Sequence, residues 1–525
     1  MPLSELQQVR LAKVARLREM GVDPYPTTAE RSHTTAAALA TFATAETAEP
    51  SGLDGEGTLS EPVTVVGRIV AQRQMGKSLF MPIEDGSGRL QLYLRKNDLG
   101  DEPFEDVLRL YDLGDFVQAT GQLFRTRTGE VSLRVSAIHM LSKALNAPPE
   151  KWHGLTDIET RYRRRYADLL SNDEVRQIFI ARSKIVTALR RELDARDYLE
   201  VETPTLQPLY GGAAARPFTT LHNALDQTFY LRIADELYLK RLVVGGFERV
   251  YEICKDFRNE GIDRFHSPEF TMLEFYQAYA DYTDMMTTVE ALLVAATVAV
   301  HGEPRFEWNG ETIEMSAPWP RKTLREAIRE GSGIDYVEHP YQPSLLAAAR
   351  AAGADVATDT VWPKIVDELL KQFVRPKIVQ PVILYDYPVA LSPLAKRRPD
   401  DPTHAERFQP FICSGEIGNA FTELNDPLDQ LARFRAQEQD REAGDDETMP
   451  IDADYINALM YGMPPTGGVG IGIDRLTMLL TDQDTLRDVV LFPALRNLLA
   501  DQDPVAKTLE GVDPVAQGLI PPIQG

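Results

Sequence analysis

Five short segments rich in β-branched residues, all between residues 62 and 140, constrain the fold more than any other feature of this sequence. They read VTVVGRIV, SLFMPIED, GRLQLYLR, DFVQATGQLF and EVSLRVSAI, and turn-forming stretches such as Asp85-Gly86-Ser87-Gly88 separate them. Leucines alternate with Gln91 and Tyr93 in the third segment, so the leucines are expected on one face of that strand and the other two residues on the opposite face. Five short strands at this spacing predict a small closed β-barrel.

Length and composition place the chain among globular proteins with several cores. Its 525 residues are too many for one ordinary domain, and 43% of them are apolar and 26% charged. Two cysteines, Cys254 and Cys413, are too few for a disulfide framework, which fits a cytoplasmic protein. The longest apolar run, residues 291–300, is too short to cross a bilayer. It predicts a buried helix, and no membrane role is expected.

The net charge of −23 limits how this chain can bind nucleic acid. Proteins that hold nucleic acid by bulk electrostatics are normally basic, because neutralised phosphates supply the non-specific affinity. An RNA partner would therefore need a local basic patch or shaped contacts. The candidate patch is RYRRR at residues 161–165, for which a solvated structural face is the alternative interpretation.

Residue patterns divide the chain into four regions. Residues 1–60 are expected to form a helical extension over residues 3–20 and then a linker that holds one weak helix. Residues 61–148 contain the barrel, and residues 149–497 have an α+β pattern in which Ser171 and Glu174 predict a helical capping box. Residues 498–525 are expected to be a flexible C-terminal tail.

Residues capable of chemistry concentrate in a few segments of the α+β region. The longest is FERVYEICKDFRNEGIDRFHSPEFTMLEFYQAYADY at residues 247–282, followed by EIGNAFTELND at 416–426 and GGVGIGIDR at 467–475. Two further pieces are GGAAARPF and RIADELYLKRL. These segments bring carboxylates, arginines and glycine-rich turns together, which favours a site for a polyphosphate, a divalent metal and a cationic small molecule. Surface salt bridges are the alternative for any single glutamate, and the glycine cluster matches neither a P-loop nor a dinucleotide-binding motif.

Taken in order, these segments resemble the motifs of class II aminoacyl-tRNA synthetases, and among them the lysine-specific branch. The helix and strand that end at Pro204 are similar to the family's first motif, which builds its dimer interface. FRNEGIDRFHSPEF is similar to the second motif, and GGVGIGIDR to the third. The resemblance runs from about residue 10 to residue 496. It implies an α+β protein with a five-stranded oligonucleotide-binding (OB-fold) barrel and a catalytic domain built on an antiparallel β-sheet flanked by helices.

The resemblance implies that this chain activates L-lysine with ATP to lysyl-adenylate and transfers lysine to tRNA(Lys). Arg258 would contact the α-phosphate and the lysine carboxylate, and Arg475 would hold the γ-phosphate, so these two are the expected catalytic residues. Phe270 would stack under adenine. The remaining residues expected to bind ATP are Glu260, which would accept from the adenine amino group, His266 and Glu416.

A lysine pocket can also be argued from charge, because a buried ammonium without a paired carboxylate is heavily penalised. By resemblance, Glu236 and the Gly212 carbonyl would take the α-ammonium. Three residues would take the ε-ammonium: Glu274, Tyr276 and Glu423. Asn419, together with Arg258, would bind the carboxylate, and Phe421 would pack on the aliphatic stem.

Metal binding departs from the family pattern at one position. The family places a glutamate seven residues before the position of Glu416 to share Mg²⁺, and Gln409 stands there. An amide oxygen can ligate a hard cation but supplies no negative charge. We therefore expect Glu416 to bind the Mg²⁺ that accompanies ATP, and we expect one Mg²⁺ to be bound more weakly or in a rearranged position because Gln409 stands at the second ligand position. Glu406 is an alternative ligand, although its spacing differs from that of the family. Ser267 is a second departure, since the family usually has asparagine there.

The resemblance also implies partners. Phe80 in the barrel would stack on an anticodon base, while Gln91 and Glu130 would read base edges, a mode of binding that suits unstacked RNA loops. A cytoplasmic homodimer is expected. Two alternatives remain open: a paralogue that lysylates a protein, which in the family lacks the barrel, and a catalytically weak RNA-binding protein, which only Gln409 suggests.

Overall fold

The computed structural model describes residues 3–48, 60–149, 155–442 and 449–497. The described residues divide into two compact units: residues 3–48, 60–149, 155 and 496–497 belong to the first, and residues 156–442 and 449–495 form the second. The predicted tail at 498–525 lies outside the described residues, as does the part of the predicted linker at 49–59.

The first unit is built around a barrel. Its strands are β1 (Val63–Ile69), β2 (Arg73–Met75), β3 (Ser78–Asp85), β4 (Gly88–Arg95), β5 (Phe116–Arg125) and β6 (Val131–Ser142). Their order is β1-β5-β6-β4-β3-β2, and pairing of β1 with β3 closes the barrel, while the short β2 pairs only with β3. Leu90, Leu92 and Leu94 are buried in the barrel core. The prediction of a five-stranded closed barrel is confirmed.

Four helices accompany the barrel: α1 (Glu5–Glu19), α2 (Thr35–Ala48), α3 (Lys96–Leu99) and α4 (Asp101–Leu110). Helix α2 falls within the predicted linker, yet Ala38 and Phe42 on it are fully buried in the barrel core. The helix predicted within the linker is therefore present, and it packs on the barrel. Its small alanine side chains let the helix lie close to the barrel, and Phe42 supplies the apolar area that stabilises the contact.

The second unit contains the remaining strands: β7 (Leu199–Glu200), β8 (Leu206–Gln207), β9 (Thr219–His222), β10 (Gln227–Leu231), β11 (Arg249–Phe257), β12 (Glu269–Ala278), β13 (Arg305–Trp308), β14 (Glu311–Glu314), β15 (Arg321–Thr323), β16 (Val382–Pro388), β17 (His404–Ile412), β18 (Gly415–Glu416), β19 (Gly418–Thr422) and β20 (Thr466–Gly472). Its large sheet has the order β15-β16-β17-β19-β20-β12-β11-β7, with β18 paired to β17.

The large sheet is antiparallel at its centre and parallel at both edges, where β7 pairs with β11 and β15 with β16. The prediction of an antiparallel sheet is thus confirmed for the central strands and wrong for the two edges. Both parallel pairs enclose helices in the intervening chain, as parallel neighbours require a crossover connection.

Helices of the second unit flank this sheet. They are α5 (Ile158–Arg163), α6 (Arg165–Ser171), α7 (Asp173–Asp194), α8 (Glu236–Val244), α9 (Tyr282–His301), α10 (Leu324–Ser332), α11 (Gln342–Ala351), α12 (Trp362–Leu369), α13 (Pro427–Glu442), α14 (Ala453–Met460), α15 (Ile473–Leu480) and α16 (Leu486–Val489). Among the described helices, α9 alone is long and apolar enough to span a bilayer by length and composition, and half of its apolar window is buried inside the protein. Val289, Leu292 and Ala296 on α9 belong to the main core, as the predicted buried helix requires.

The predicted capping box is wrong. Ser171 is the last residue of α6, and its hydroxyl donates to the Ala167 carbonyl at 2.9 Å instead of capping α7. The N-cap of α7 is Asn172, which makes no side-chain capping bond. The pattern misled because α6 continues through the serine before the chain turns into α7.

The arginine run before α7 has a structural role. Arg161 and the fully buried Arg165 both pair with Asp168, at 2.9 and 2.7 Å, and Arg163 pairs with Glu159 at 2.6 Å. Their guanidinium groups are thus occupied by carboxylates of the same helical segment. The observed contacts favour the structural interpretation of this patch over an RNA-binding one.

Candidate active site

Alternating glycines on the central strand β20 open a cavity on one face of the large sheet. Gly468, Gly470 and Gly472 share this face, while Val469 and Ile471 between them point to the opposite face and belong to the main core. A Cβ atom on Gly468 would lie 2.0 Å from Oε1 of Glu423, so no larger residue fits there. Strand alternation therefore places the glycines of the third motif where side chains would fill the cavity.

The neighbouring strands supply side chains on either side of these glycines. In the sheet register, Gly470 separates Glu274 of β12 from Asn419 of β19, and Gly468 separates Tyr276 from Phe421. The cavity has a volume of about 370 Å³. It is lined by thirteen of the residues predicted for the catalytic site: Gly212, Glu236, Arg258, Glu260, His266, Phe270, Glu274, Tyr276, Gln409, Glu416, Asn419, Phe421 and Arg475.

Two buried glutamates form the acidic end of the cavity. Glu274 is only 6% exposed, and the Tyr276 hydroxyl donates a 2.9 Å hydrogen bond to its Oε2. Burial raises the pKa of Glu274 well above its usual range, and the nearby carboxyl of Asp235 raises it further. Glu236, the first residue of α8, is also 6% exposed. A cation that enters this part of the cavity would pair with these buried carboxylates and be stabilised by them.

Gly212 lies against Glu236. Its φ of +89° is in the region that favours glycine, and a Cβ atom there would be 3.2 Å from the Cβ of Glu236. The Gly212 amide donates to Sδ of Met449 at 3.1 Å. A glycine at this position thus lets the backbone approach the carboxylate, which places the Gly212 peptide at the cavity wall.

Glu423, also predicted to bind the substrate, is not among the residues that line the cavity, but its carboxylate lies beside the cavity-facing Gly468. Its fully buried side chain forms an ion pair with Lys240, whose ammonium also pairs with Glu236 one helical turn earlier on α8. Lys240 is itself fully buried. Burial opposes the charge on Lys240, but Glu236 and Glu423 raise the pKa of its ammonium above the usual value.

Asn419 is held in a defined orientation. Its side-chain oxygen accepts a 2.8 Å hydrogen bond from Nε of Arg407, and the Arg407 guanidinium lies 4.7 Å from the ring centre of Tyr387. Because the oxygen of Asn419 is engaged, its amide nitrogen is available to donate into the cavity. The Asn419 amide, oriented by Arg407, can therefore contribute to the binding of a carboxylate in the cavity.

Two arginines mark the other end of the cavity. Arg258 follows β11, and its guanidinium carbon lies 5.0 Å from the ring centre of Phe270 across the β11–β12 hairpin. Arg475 lies in the first turn of α15 and donates to the backbone carbonyl of Glu416 at 3.4 Å. Next to it, Asp474 is fixed by a 2.6 Å ion pair with Arg182 of α7. Permanently charged groups on two anchored elements suit the binding of a polyphosphate.

Glu260 and His266 lie on the exposed rim of the cavity, in the β11–β12 connection. The Asp263 carboxylate contacts Nδ1 of His266 at 2.8 Å and accepts from the backbone amides of Phe265 and His266. These hydrogen bonds fix the conformation of the loop between β11 and β12. The rim residues are thus positioned by their own loop rather than by the core.

Glu416 and Gln409 both line the cavity close to Arg475. Glu416 pairs with Phe411 across the β17–β18 hairpin, and Gln409 lies two residues before Phe411 on the same strand face. Their side chains offer one carboxylate and one amide oxygen. Hard oxygen ligands of this kind fit Mg²⁺, which usually takes one or two protein ligands and completes its shell with water and phosphate.

A second layer of acids lies beneath the cavity. Asp235, Cys254 and Asp256 are buried, with ligand atoms within 4.8 Å of one another. Arg232 offsets part of this charge through Glu252 at 2.7 Å and Asp256 at 3.4 Å. Burial raises the pKa of Asp256 to about 6, although Arg232 and Arg258 oppose the shift. The floor of the cavity therefore carries a surplus of carboxyl groups.

Comparison with known proteins identifies this arrangement. Residues 157–496 match the family described as tRNA synthetases class II (D, K and N). The chain belongs to the class II tRNA synthetases. Residues 63–141 of this synthetase match the OB-fold nucleic acid binding domain. Its relatives include proteins named lysine–tRNA ligase from Roseiflexus castenholzii, 56% identical over 94% of this chain and 99% of the relative, and from Chloroflexus aurantiacus, 54% identical over the same shares. Another, from Pelotomaculum thermopropionicum, is 50% identical over 94% of this chain and 95% of its own length.

Three aromatic rings line up on the outer face of the synthetase barrel. The ring centres of Phe80 and Tyr93 are 4.9 Å apart in a stacked arrangement, and Phe124 lies 5.5 Å from Tyr93. Gln91 shares the strand face of Tyr93 and donates to the Ser132 hydroxyl at 2.8 Å, and Glu130 is exposed in the β5–β6 turn. The predicted anticodon residues therefore lie on or near one aromatic surface that can stack on bases.

Sequence reasoning missed two charged residues of the site, Lys240 and Arg407. A short-range spacing in the sequence could have indicated each of them. Lys240 follows Glu236 at the i, i+4 spacing of a helical ion pair, and Arg407 precedes Gln409 by two residues on one strand face. Neither spacing reveals that Lys240 also contacts Glu423, because that contact depends on the fold.

Proposed function

We propose that this synthetase is a lysine–tRNA ligase that activates L-lysine with ATP and then transfers lysine to the 3′-terminal ribose of tRNA(Lys). One observation carries the proposal: the buried carboxylates of Glu236 and Glu274 and the guanidinium groups of Arg258 and Arg475 line a single cavity. The carboxylates complement the two ammonium groups of a diamino acid, and the guanidinium groups complement the phosphates of a nucleoside triphosphate. The names of the relatives support the same reading.

In this proposal the cavity binds lysine by charge at both ends. Glu236 and the Gly212 carbonyl hold the α-ammonium, and Glu274 with the Tyr276 hydroxyl holds the ε-ammonium. Asn419 and Arg258 bind the carboxylate, and the Phe421 ring packs on the aliphatic stem. Glu423, whose carboxylate also pairs with Lys240, joins Glu274 in holding the ε-ammonium. An amino acid with an acidic side chain would meet Glu274 and be rejected.

ATP binds at the arginine end. Phe270 stacks under adenine, Glu260 accepts from its amino group, and His266 approaches the phosphates from the rim. Arg475 holds the γ-phosphate, and Arg258 holds the α-phosphate together with the lysine carboxylate. Glu416 and Gln409 would hold Mg²⁺, which offsets phosphate charge when it is bound.

Catalysis then rests on positioning and charge stabilisation. The lysine carboxylate oxygen attacks the α-phosphorus, the bond to the bridging oxygen breaks, and pyrophosphate leaves. Arg258 stabilises the negative charge that develops on the α-phosphate oxygens. In the second step the terminal ribose hydroxyl of tRNA attacks the acyl carbon, and AMP leaves.

The barrel supplies recognition of the RNA. Phe80, extended by Tyr93, stacks on an anticodon base, and Gln91 and Glu130 read base edges. Stacking and a few hydrogen bonds do not require a basic surface, which reconciles an RNA partner with the net charge of −23. The presence of the barrel disfavours the protein-lysylating alternative.

The synthetase acts as a homodimer in the cytoplasm. Ile180 on α7 and Leu199 on β7 are 41% and 48% exposed, and both lie in the segment that resembles the family's dimer-forming motif. Apolar side chains exposed on such a segment favour burial by a second copy. Cys254 and Cys413 are both free thiols, as a reducing compartment favours.

ATP–pyrophosphate exchange and tRNA charging by the full-length protein test this function. Lysine-dependent exchange followed by charging of tRNA(Lys) is the expected result. Exchange without charging of the tRNA would favour the protein-lysylating alternative, and absence of lysine-dependent exchange would refute the proposal in favour of an RNA-binding protein.

A further inference from the structure

One arginine of helix α7 contacts both elements that form the arginine end of the cavity. Arg182 forms the 2.6 Å ion pair with Asp474, and its Nη2 donates a 2.9 Å hydrogen bond to the Thr271 hydroxyl. Asp474 lies in the first turn of α15, and Thr271 lies on β12. A single guanidinium group therefore joins three elements that are far apart in the sequence.

A third contact closes a triangle between these residues. The backbone amide of Thr271 donates to Oδ2 of Asp474 at 2.9 Å, while Oδ1 of Asp474 contacts Arg182. The aspartate is only 3% exposed. A buried carboxylate with a charged partner and a backbone donor is held firmly, because removal of either partner leaves a buried group unsatisfied.

The triangle lies next to the two residues that we assign to opposite ends of ATP. Asp474 directly precedes Arg475, and Thr271 directly follows Phe270. These four residues line the cavity, whereas Arg182 does not. The separation between the γ-phosphate contact and the adenine platform is therefore set by contacts that lie outside the substrate.

Arg182 also changes the charge at the phosphate end of the cavity. Asp474 is a carboxylate at the end that has to accept three phosphates, and without a cation beside it this carboxylate would repel them. In the described part of the chain Arg475 forms no ion pair, and its guanidinium donates to the carbonyl of Glu416. Because Asp474 is paired with Arg182, the charge of Arg475 is left for the nucleotide.

Building on the proposed function, we propose that Arg182 is a positioning residue for ATP, which fixes Arg475 relative to Phe270 and neutralises Asp474. Arg182 acts through its neighbours and has no contact with the substrate. The acidic end of the cavity, which includes Glu274, takes no part in the triangle. Arg182 therefore contributes to the affinity for ATP and leaves the affinity for lysine unchanged.

The test compares Arg182→Met and Arg182→Lys with wild type in lysine-dependent ATP–pyrophosphate exchange by the full-length enzyme. Arg325→Met is the matched control, because Arg325 also holds a buried aspartate, Asp335, at 2.7 Å, and neither of them lines the cavity. In Arg182→Met we expect the KM for ATP to rise roughly 10- to 100-fold, while the KM for lysine stays within about twofold of wild type. Arg325→Met should keep both wild-type constants.

Adenosine distinguishes positioning from local damage to the site. It can stack on Phe270 but has no phosphate for Arg475, so its inhibition constant in Arg182→Met should stay within about threefold of wild type. Arg182→Lys keeps the charge but lacks the planar fork that serves Asp474 and Thr271 together, so its KM for ATP should lie between those of Arg182→Met and wild type.

Three results would overturn the proposal: an unchanged KM for ATP in Arg182→Met, an equal rise in the KM for lysine, or an equal loss of adenosine and ATP affinity. Failure of the proposed function is distinguishable, because in that case the wild-type enzyme itself would show no lysine-dependent exchange.

A double variant covers the case in which Arg182→Met folds poorly. Arg182→Met with Asp474→Asn leaves no unpaired buried charge, and the asparagine oxygen can still accept from the Thr271 amide. Helix α7 then no longer joins α15 to β12, so the KM for ATP should still exceed that of wild type, roughly tenfold, with an unchanged KM for lysine. A wild-type KM for ATP in the double variant would refute the proposal.

Discussion

The Tyr276 hydroxyl donates a 2.9 Å hydrogen bond to Glu274, two residues earlier on strand β12 and on the same face of the sheet. The carboxylate is buried and faces a strand of glycines, so it has free acceptor capacity toward the cavity. This pair defines the predicted ε-ammonium subsite, and two expected results for lysine binding follow from its geometry.

Glu274→Gln should raise the KM for lysine by roughly 100-fold or more, because it replaces a buried charge pair with a neutral contact. The KM for ATP should remain near the wild-type value, since Glu274 lies at the opposite end of the cavity from the arginines. Glu269→Gln is the matched control on the same strand, because Glu269 is exposed and pairs with Lys255 at 3.4 Å. Steady-state pyrophosphate exchange measures both constants. An equal loss of lysine and ATP affinity would contradict the subsite assignment.

Lysine affinity should increase as pH rises toward about pH 8. Burial and the adjacent Asp235 raise the pKa of Glu274, which favours its protonated form relative to that of an ordinary glutamate. Lysine binds the ionised form, and deprotonation at higher pH therefore favours binding, while its ammonium groups remain largely charged. Calorimetry in buffers of different ionisation enthalpy should detect proton release on lysine binding. Glu274→Gln should lose this release, and a lysine affinity that falls with rising pH would reverse the predicted sign.

Phe80→Ala should slow tRNA charging while leaving adenylate formation unchanged. Loss of one base-stacking contact costs about 1–3 kcal/mol, so kcat/KM for tRNA should fall about ten- to hundredfold. Phe116→Ala is a suitable control, because Phe116 begins β5, whereas Phe124 of the aromatic surface lies near the end of that strand. Charging assays with tRNA(Lys) measure the effect. A normal charging rate would remove Phe80 from anticodon recognition.

Gln409→Glu should lower the Mg²⁺ concentration that supports half-maximal exchange. The substitution adds a second carboxylate beside Glu416 at a position that lines the cavity, and Mg²⁺ is bound more tightly by a charged oxygen than by an amide. Gln380→Glu is the control, because Gln380 is exposed and does not line the cavity. Titration of free Mg²⁺ at constant MgATP is the measurement. If both variants leave the Mg²⁺ dependence unchanged, Gln409 has no role in metal binding.

Much of the fold could be predicted because its signals are local. Apolar residues alternate with other residues in the five barrel segments. In strand β20 glycines alternate with apolar residues, as in Gly468, Val469 and Gly470. Residues of the different motifs meet at one cavity because the strands that carry them are adjacent in the large sheet. This is why thirteen predicted site residues line the same space.

The errors arose where long-range packing overrides a local pattern. Alanine-rich composition between residues 35 and 48 resembled a linker, but Phe42 inserts into the barrel core. Ser171 matched a capping pattern that the continuing helix α6 does not use. The contact between Lys240 and Glu423 joins two elements far apart in the sequence, so this buried ion pair could not be predicted from either motif.

Selectivity for the terminal ammonium is the central claim, and norleucine, which lacks only that group, tests it most directly. The measurement is kcat/KM in ATP–pyrophosphate exchange by the wild-type enzyme with lysine and with norleucine. A buried carboxylate left without its partner should make lysine the better substrate by about 10⁴-fold. Rates within about tenfold of each other would show that Glu274 does not select the substrate, and the account of the cavity would be wrong.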